Sequence, residues 1–369
     1  MVSFAPTEIT ASTLSKLLSL YPTTVANVYR EKLLAKSMSR KEKRQEAERR
    51  ATAGLPPDAL PYDPTVPHPL LEKEVDEFAG LDTWRFETLP QTLRERRDAA
   101  QQSSSKSGGQ DDEEQRPAKR VKTETNPEAS GVFLNKMELV RLVDWKLKHG
   151  RFRPALLGLA RSNTDDQIKV AISKAFNALP DPSEPDPFPE TSMKCLVDAL
   201  RGIGPATASL ILSVMPPRTT TAANPDSENV VGIPFFSDEL YLWLCGKSYP
   251  GDKPKTVTKK EKRDKENIDY TMAGYRQLWN AVREFRSRMQ SSILSETQPG
   301  GSGTSFSTAD LEKVAFVLGH IELSGFKDYE DHKPSVETEE PAQQGKATRD
   351  DDGVTQGAVE RPANSKRNQ

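Results

Sequence analysis

Cysteine is nearly missing from this chain, with two in 369 residues, Cys195 and Cys245. Two distant thiols exclude a disulfide scaffold or a four-cysteine cluster and suit a reducing compartment. Histidine is scarce as well, four in all, and none has a second ligand at metal spacing, so no metal is expected. A P-loop, a dinucleotide fingerprint after a strand and a G-x-S-x-G elbow are all missing, and no cofactor is implied. No apolar run approaches the roughly 18 residues of a membrane span, and the N-terminus lacks the basic-then-apolar layout of a signal peptide. Neither a membrane nor export is therefore expected. Val, Ile and Thr never alternate with polar residues over a strand's length, so no sheet is expected.

What is present is charge and proline. Charged residues make up 29% against 35% hydrophobic, and 28 prolines interrupt the chain. That balance cannot bury enough apolar surface to order all of it. An all-α domain with long disordered N- and C-terminal segments and loops is expected. Residues 1–50 read as a helical, charged arm in which Leu14, Leu17, Leu18, Val25, Val28, Leu33 and Leu34 form a partial stripe broken by Pro22. From Lys36 to Arg50 its charges suit a solvated helix. A proline-rich linker fills 51–69. An aromatic island over 70–98, with Phe78, Trp84 and Phe86, is expected to dock on the core.

Residues 99–131 read as disordered, and 132–329 as the helical domain, with flexible loops at 217–231, 250–267 and 293–306. A disordered tail takes 330–369. Within the domain, helices are expected over Phe133–Leu147, Ala155–Arg161 after Pro154, Ile168–Leu179, Met193–Leu200, Thr207–Met215, Glu239–Cys245, Tyr270–Gln290 and Thr308–Leu323.

Net charge is −2, but its distribution is uneven, with nine Lys/Arg against four Asp/Glu from Lys136 to Lys174. In the linker, Arg116–Lys122 places Lys119, Arg120 and Lys122 beside Pro117 in polar sequence. Such a run is accessible to an acidic receptor groove, which predicts an import receptor as a partner and a nuclear location.

The stretch Leu200–Leu212, LRGIGPATASLIL, reads as a helix, a tight turn and a second helix. Gly202 and Gly204 flank Ile203 at the spacing of a hairpin whose backbone takes positive φ and meets a partner closely. Unsatisfied amides and the dipole at a helix N-terminus attract an anion. Leu200, Gly202, Ile203, Gly204, Thr207 and Ala208 agree with the helix-hairpin-helix motif, and the chain resembles the helix-hairpin-helix DNA glycosylases of the endonuclease III type. Arg201 departs where Pro is usual, and Ala206 where Lys or Arg is usual.

The resemblance implies a DNA glycosylase-like helical domain. It also implies DNA as partner and phosphate held by Gly202, Ile203, Gly204, Ala206 and Thr207. A catalytic carboxylate is implied at Asp238, once about a dozen residues of inserted loop are set aside. Ala206 has no amine for a Schiff base, so a lyase step by that residue is excluded and base release would be monofunctional. Ser237 and Asp238 are both favoured N-cap residues, so capping alone also accounts for Asp238. A basic rim of Lys146, Lys148, Arg151 and Arg153, with Trp145 and Phe152 turned inward, suits contact with nucleic acid. Three functions remain open: non-catalytic DNA binding, base release by Asp238, and a protein-interaction module.

Overall fold

The structure, a computed structural model, describes residues 3–37, 52, 63–106, 132–150, 153–216, 232–246, 268–296 and 305–326. Among these residues the chain is wholly helical, with no strand. In chain order the helices are α1 (Ala11–Ser19), α2 (Tyr21–Ser37), α3 (Glu72–Thr83), α4 (Leu89–Lys106), α5 (Lys136–His149), α6 (Pro154–Arg161) and α7 (Asp165–Asn177). Then follow α8 (Glu190–Ala199), α9 (Pro205–Ser213), α10 (Asp238–Cys245), α11 (Met272–Glu296), α12 (Thr308–Gly319) and α13 (Ile321–Ser324). A π-helical turn over Trp84–Thr88 joins α3 to α4.

Capping chemistry sets several starts. Asn135 with Glu138, Thr164 with Gln167 and Ser307 with Asp310 form reciprocal capping boxes at α5, α7 and α12. Each box satisfies two amides that the helix itself leaves open. Pro154 and Pro205 occupy first-turn positions, where their missing N–H costs nothing.

The most enclosed helix is α9. Every residue from Ala206 to Leu212 is buried, the pattern of a helix surrounded on all sides. It packs on α8, α5 and α11, while α10 lies against α11 and α12.

The N-terminal segment departs from the expectation of a charged arm beside the domain. Leu14, Leu17, Val25 and Val28 are buried in the same core as Trp145 and Phe316, and α1 and α2 pack on α12 and α13. The helix breaks at Leu20, and Pro22 falls in the first turn of α2. Polar residues inside α2 are paired. Arg30 reaches both Glu72 oxygens, at 2.8 and 2.9 Å, and Asn27 donates to the Leu323 carbonyl at 2.8 Å.

The aromatic island lies inside the core too. Phe78, Leu81, Trp84, Leu89 and Leu93 are buried. Arg96 holds Glu138 with two hydrogen bonds of 2.9 and 2.7 Å, which fastens α4 to the start of α5. Asp82 on α3 accepts from Trp145 Nε1 at 2.8 Å and from the Tyr21 hydroxyl at 3.1 Å. The core therefore begins near Phe4 rather than at Val132, because three separated segments share one set of apolar faces.

Several helix starts lie a few residues from those expected, α7 at Asp165, α8 at Glu190 and α9 at Pro205, and two boundaries with expected disorder also differ. Residues 99–106, read as disordered, prolong α4, and α11 runs to Glu296, into the loop expected from 293. The basic run over 38–50, the import signal with Lys119, Arg120 and Lys122, and the tail from 330 lie outside the described residues. None of the described helices is long and apolar enough to cross a membrane.

Candidate functional site

The turn between α8 and α9 is held from outside. Buried Asn163 accepts from the Arg201 N–H at 2.8 Å and donates to the Arg201 carbonyl at 3.1 Å. Gly202 then adopts φ +76°, and a Cβ there would stand 2.7 Å from the Leu159 Cβ. Both facts require glycine, the first for backbone sterics and the second for the close approach of α6. Gly204 differs: its φ is −97° and a Cβ would meet nothing within 4 Å. It stands at the N-cap of α9, which no side chain caps.

The five turn residues separate by role. Ile203 is buried and packs the hairpin, and its N–H reaches Leu200 at 3.4 Å. The Thr207 N–H is already donated to the Gly204 carbonyl at 2.9 Å, and its side chain is buried. The amides of Gly204 and Ala206 make no hydrogen bond within the chain. They are the pair free to meet an anion at the positive end of α9.

A cavity of about 230 Å³ opens against this turn. Gly202, Gly204, Ala206 and Thr207 line it, together with Lys146, Arg153, Phe235, Asp238, Glu239 and Tyr270. Its volume is below the roughly 300–1,000 Å³ of pockets for drug-sized ligands, so it suits a single ring or sugar. Residues far apart in sequence are thus brought to one place, including most of those singled out in the sequence.

Asp238 is positioned through the segment before α10. Ser209 on α9 accepts from the Phe236 N–H at 2.9 Å, and the Tyr275 hydroxyl donates to the Pro234 carbonyl at 3.0 Å. Ser237, not Asp238, caps α10, its hydroxyl accepting from the Leu240 N–H at 3.2 Å. Asp238 is left at the first helical position, where the Tyr270 hydroxyl donates to its Oδ1. Burial and this bond push the Tyr270 hydroxyl well above its ordinary range, so it stays a donor.

The basic rim divides. Lys146 faces the cavity, and burial, with the Arg153 cation adding to it, lowers its amine to about 8. Arg153 is exposed, with its guanidinium 5.4 Å from the Tyr270 ring centroid. Lys148 turns away and pairs with Asp144 at 2.9 Å. Arg151 and Phe152 lie outside the described residues. Trp145 is fully buried, as expected for an inward aromatic.

Four further residues carry no sequence signal of their own. Glu239 lines the cavity, and burial, then the neighbouring Asp238, push its carboxyl up to about 7. Lys32 on α2 donates to the carbonyls of Lys148 at 3.0 Å and Gly150 at 3.3 Å, closing the C-terminus of α5 beside the cavity. Asn163 and Tyr270 hold the turn and the carboxylate. No group of three or more His, Cys, Asp or Glu among the described residues is placed to hold a metal.

One carboxylate fixed by a donor, one amine, one guanidinium and two free amides make a site of mixed charge. The amides and cations can hold a phosphate, while Asp238 can stabilise positive charge that develops beside it. No family model, no curated protein and no solved structure matches this chain.

Proposed function

We propose that this chain is a nuclear DNA-binding protein of the helix-hairpin-helix glycosylase type. The turn amides of Gly204 and Ala206, with Lys146 and Arg153, hold a backbone phosphate. One observation carries the reading: these groups and Asp238 line a single cavity. Contacts of this kind position a duplex without reading its sequence. Entry to the nucleus is assigned to Lys119, Arg120 and Lys122.

The test is duplex affinity by fluorescence anisotropy across a salt series. Counterion release makes phosphate binding fall steeply as salt rises, by about one unit of log–log slope per contact. Reversing the charge of Lys146 and Arg153 should weaken binding and flatten that slope. Binding that ignores salt and both reversals would favour a protein-interaction module. For import, replacing Lys119, Arg120 and Lys122 with alanine should spread a fluorescent fusion through the cell, and a fusion that stays nuclear places the signal elsewhere.

A second reading, monofunctional base release by Asp238, is favoured because Ser237 takes the capping role and Tyr270 holds the Asp238 carboxylate in the cavity. A panel of deaminated, alkylated and oxidised duplexes distinguishes it from binding alone.

A further inference from the structure

His149 ends α5 with its ring in the cavity wall, and residues of two other helices fix where its hydrogen sits. The Tyr21 hydroxyl lies 3.3 Å from Nε2 and donates its one proton to Oδ1 of Asp82 at 3.1 Å. An ionised carboxylate has no proton to return, so the tyrosine oxygen can only accept from His149. Nε2 therefore carries the hydrogen, and Nδ1 is left with a bare lone pair. Asp82 is itself held by Trp145 Nε1, which donates to the same oxygen at 2.8 Å. Burial, with the cations of Lys32 and Arg85 adding to it, holds the imidazole well below its ordinary range, so the ring stays neutral. Nδ1 makes no hydrogen bond within the chain. Nor is it among the buried atoms that are closed off without a partner.

The cavity thus has a neutral acceptor beside the amides and cations that suit a phosphate. Covering such an acceptor with a group that cannot donate costs free energy. The backbone of DNA brings only acceptors, its phosphate, ester and ring oxygens. A ribose 2′-hydroxyl is the donor that a nucleic-acid backbone can add. Bases also carry donors, but a phosphate at the turn brings its own sugar first. About 230 Å³ leaves room for a single ring or sugar.

We propose that His149 Nδ1 accepts from the 2′-hydroxyl of a ribonucleotide within a DNA duplex, so that this cavity favours a ribose over a deoxyribose. This rests on the DNA-binding reading above and adds to it the class of sugar. Asp82 and Tyr21 are positioning residues, which touch no ligand and decide which nitrogen is bare. Both come from the N-terminal helices, α3 and α2, so that segment completes the site as well as the core.

The experiment measures the affinity of the full chain, by anisotropy, for duplexes of one sequence that differ at one sugar. That sugar is deoxyribose, ribose, 2′-fluoro or 2′-O-methyl. Fluorine keeps the pucker of ribose and cannot donate, and the methyl ether fills the space without a proton. Ribose should bind about tenfold more tightly than the others, the scale of one buried acceptor gaining its donor. Nitrogen NMR should show the His149 hydrogen on Nε2. His149→Phe keeps a ring without the lone pair and should bring ribose and deoxyribose to equal affinity. Tyr21→Phe removes the partner of Nε2 and should narrow the ratio. Circular dichroism verifies both folds, and the sugar series on the unaltered chain stands independently of them. Four results overturn the inference while leaving duplex binding intact. They are equal affinity for ribose and deoxyribose, a 2′-fluoro or 2′-O-methyl sugar bound as tightly as ribose, a hydrogen on Nδ1, and an undiminished ratio in either variant. No binding to any of the duplexes overturns both readings.

Discussion

The hydroxyl of Tyr270 donates to Oδ1 of Asp238, joining the approach to α11 with the start of α10. Because Ser237 already caps α10, this bond gives Asp238 a fixed orientation that capping does not require. The two neighbours should therefore respond differently to substitution. Ser237→Ala removes the cap and should cost about 1 kcal/mol in urea unfolding. Asp238→Asn keeps an acceptor for Tyr270 and should stay within about 0.5 kcal/mol of the unaltered protein, the range of a change that breaks no packing or cap. If Asp238 stabilises a sugar cation, the Asn variant loses base release and keeps both stability and duplex affinity. A stability loss in Asp238→Asn as large as in Ser237→Ala would make Asp238 structural.

The glycines of the turn offer a second separation. Gly202→Ala forces a side chain into φ +76° and against Leu159. The left-handed conformation costs roughly 1–2 kcal/mol, and the contact adds about 1–3 kcal/mol if α6 has to shift. Gly204→Val meets open space at an ordinary φ, so its stability should change by less than about 1 kcal/mol. Its side chain would stand where a phosphate approaches, and duplex affinity should fall about tenfold, equivalent to roughly 1.4 kcal/mol. Unfolding curves and anisotropy on the same two proteins decide both halves. An unchanged affinity in folded Gly204→Val removes the phosphate from this turn.

Much of the domain's helical order was legible because prolines, glycines and hydroxyl caps are local signals. Pro154, Pro205, Ser237 and the Gly202–Gly204 turn all lie where helix starts and turns require them. The role of α2 was not legible. Its buried residues include Asn27 and Arg30 beside Val25, Val28 and Leu34, because α3, α5, α12 and α13 surround it. A helix enclosed by four others and carrying paired polar groups shows only a partial apolar stripe, so it reads as an arm rather than as part of the core. Asn163 and Tyr270 were invisible for another reason: their partners lie 38 and 32 residues away, and no spacing rule reaches that far. Lys146 and Lys148 look alike in sequence, and only their directions on α5 distinguish them.

The enclosure of α2 predicts the outcome of truncation. A chain beginning at Val132 would expose the surfaces that Leu14, Leu17, Val25, Val28, Phe78 and Leu93 cover. It would also leave Trp145 Nε1 and Trp243 Nε1 without Asp82 and the Phe4 carbonyl. Each fully buried large apolar side chain contributes about 1.5–3 kcal/mol, so the loss is comparable with the roughly 5–15 kcal/mol of a typical domain. Such a chain should show no cooperative thermal transition. A chain of residues 1–331 should melt in one step. A cooperative transition in the shorter chain would restore the independent domain from Val132 onward.

Glu239 gives a prediction that links stability to pH. Its carboxyl is raised to about 7 by burial and by Asp238, with Lys32 opposing. The facing His320, 3.9 Å away, is lowered to about 4 by burial and Lys32. The folded protein thus holds a proton on Glu239 that the unfolded chain releases near its ordinary value of 4.5. The associated stability is complete below about 4.5 and is lost as pH rises to about 7. Glutamine has no such proton, so Glu239→Gln should gain on the unaltered protein through that window, by about 3 kcal/mol at most. His320 and His149, both lowered by burial, favour the opposite slope in both proteins and largely drop out of the difference. Urea midpoints at pH 4.5, 5.5, 6.5 and 7.5 measure it. Duplex affinity should follow the same group: as pH rises through about 7 the unaltered cavity acquires a negative charge beside the turn amides that the Gln variant lacks, so the unaltered protein weakens more, while the loss of the Lys146 cation near 8 is common to both. A stability difference that stays flat from pH 4.5 to 7.5 would show Glu239 ionised throughout and remove the neutral carboxyl from the cavity wall.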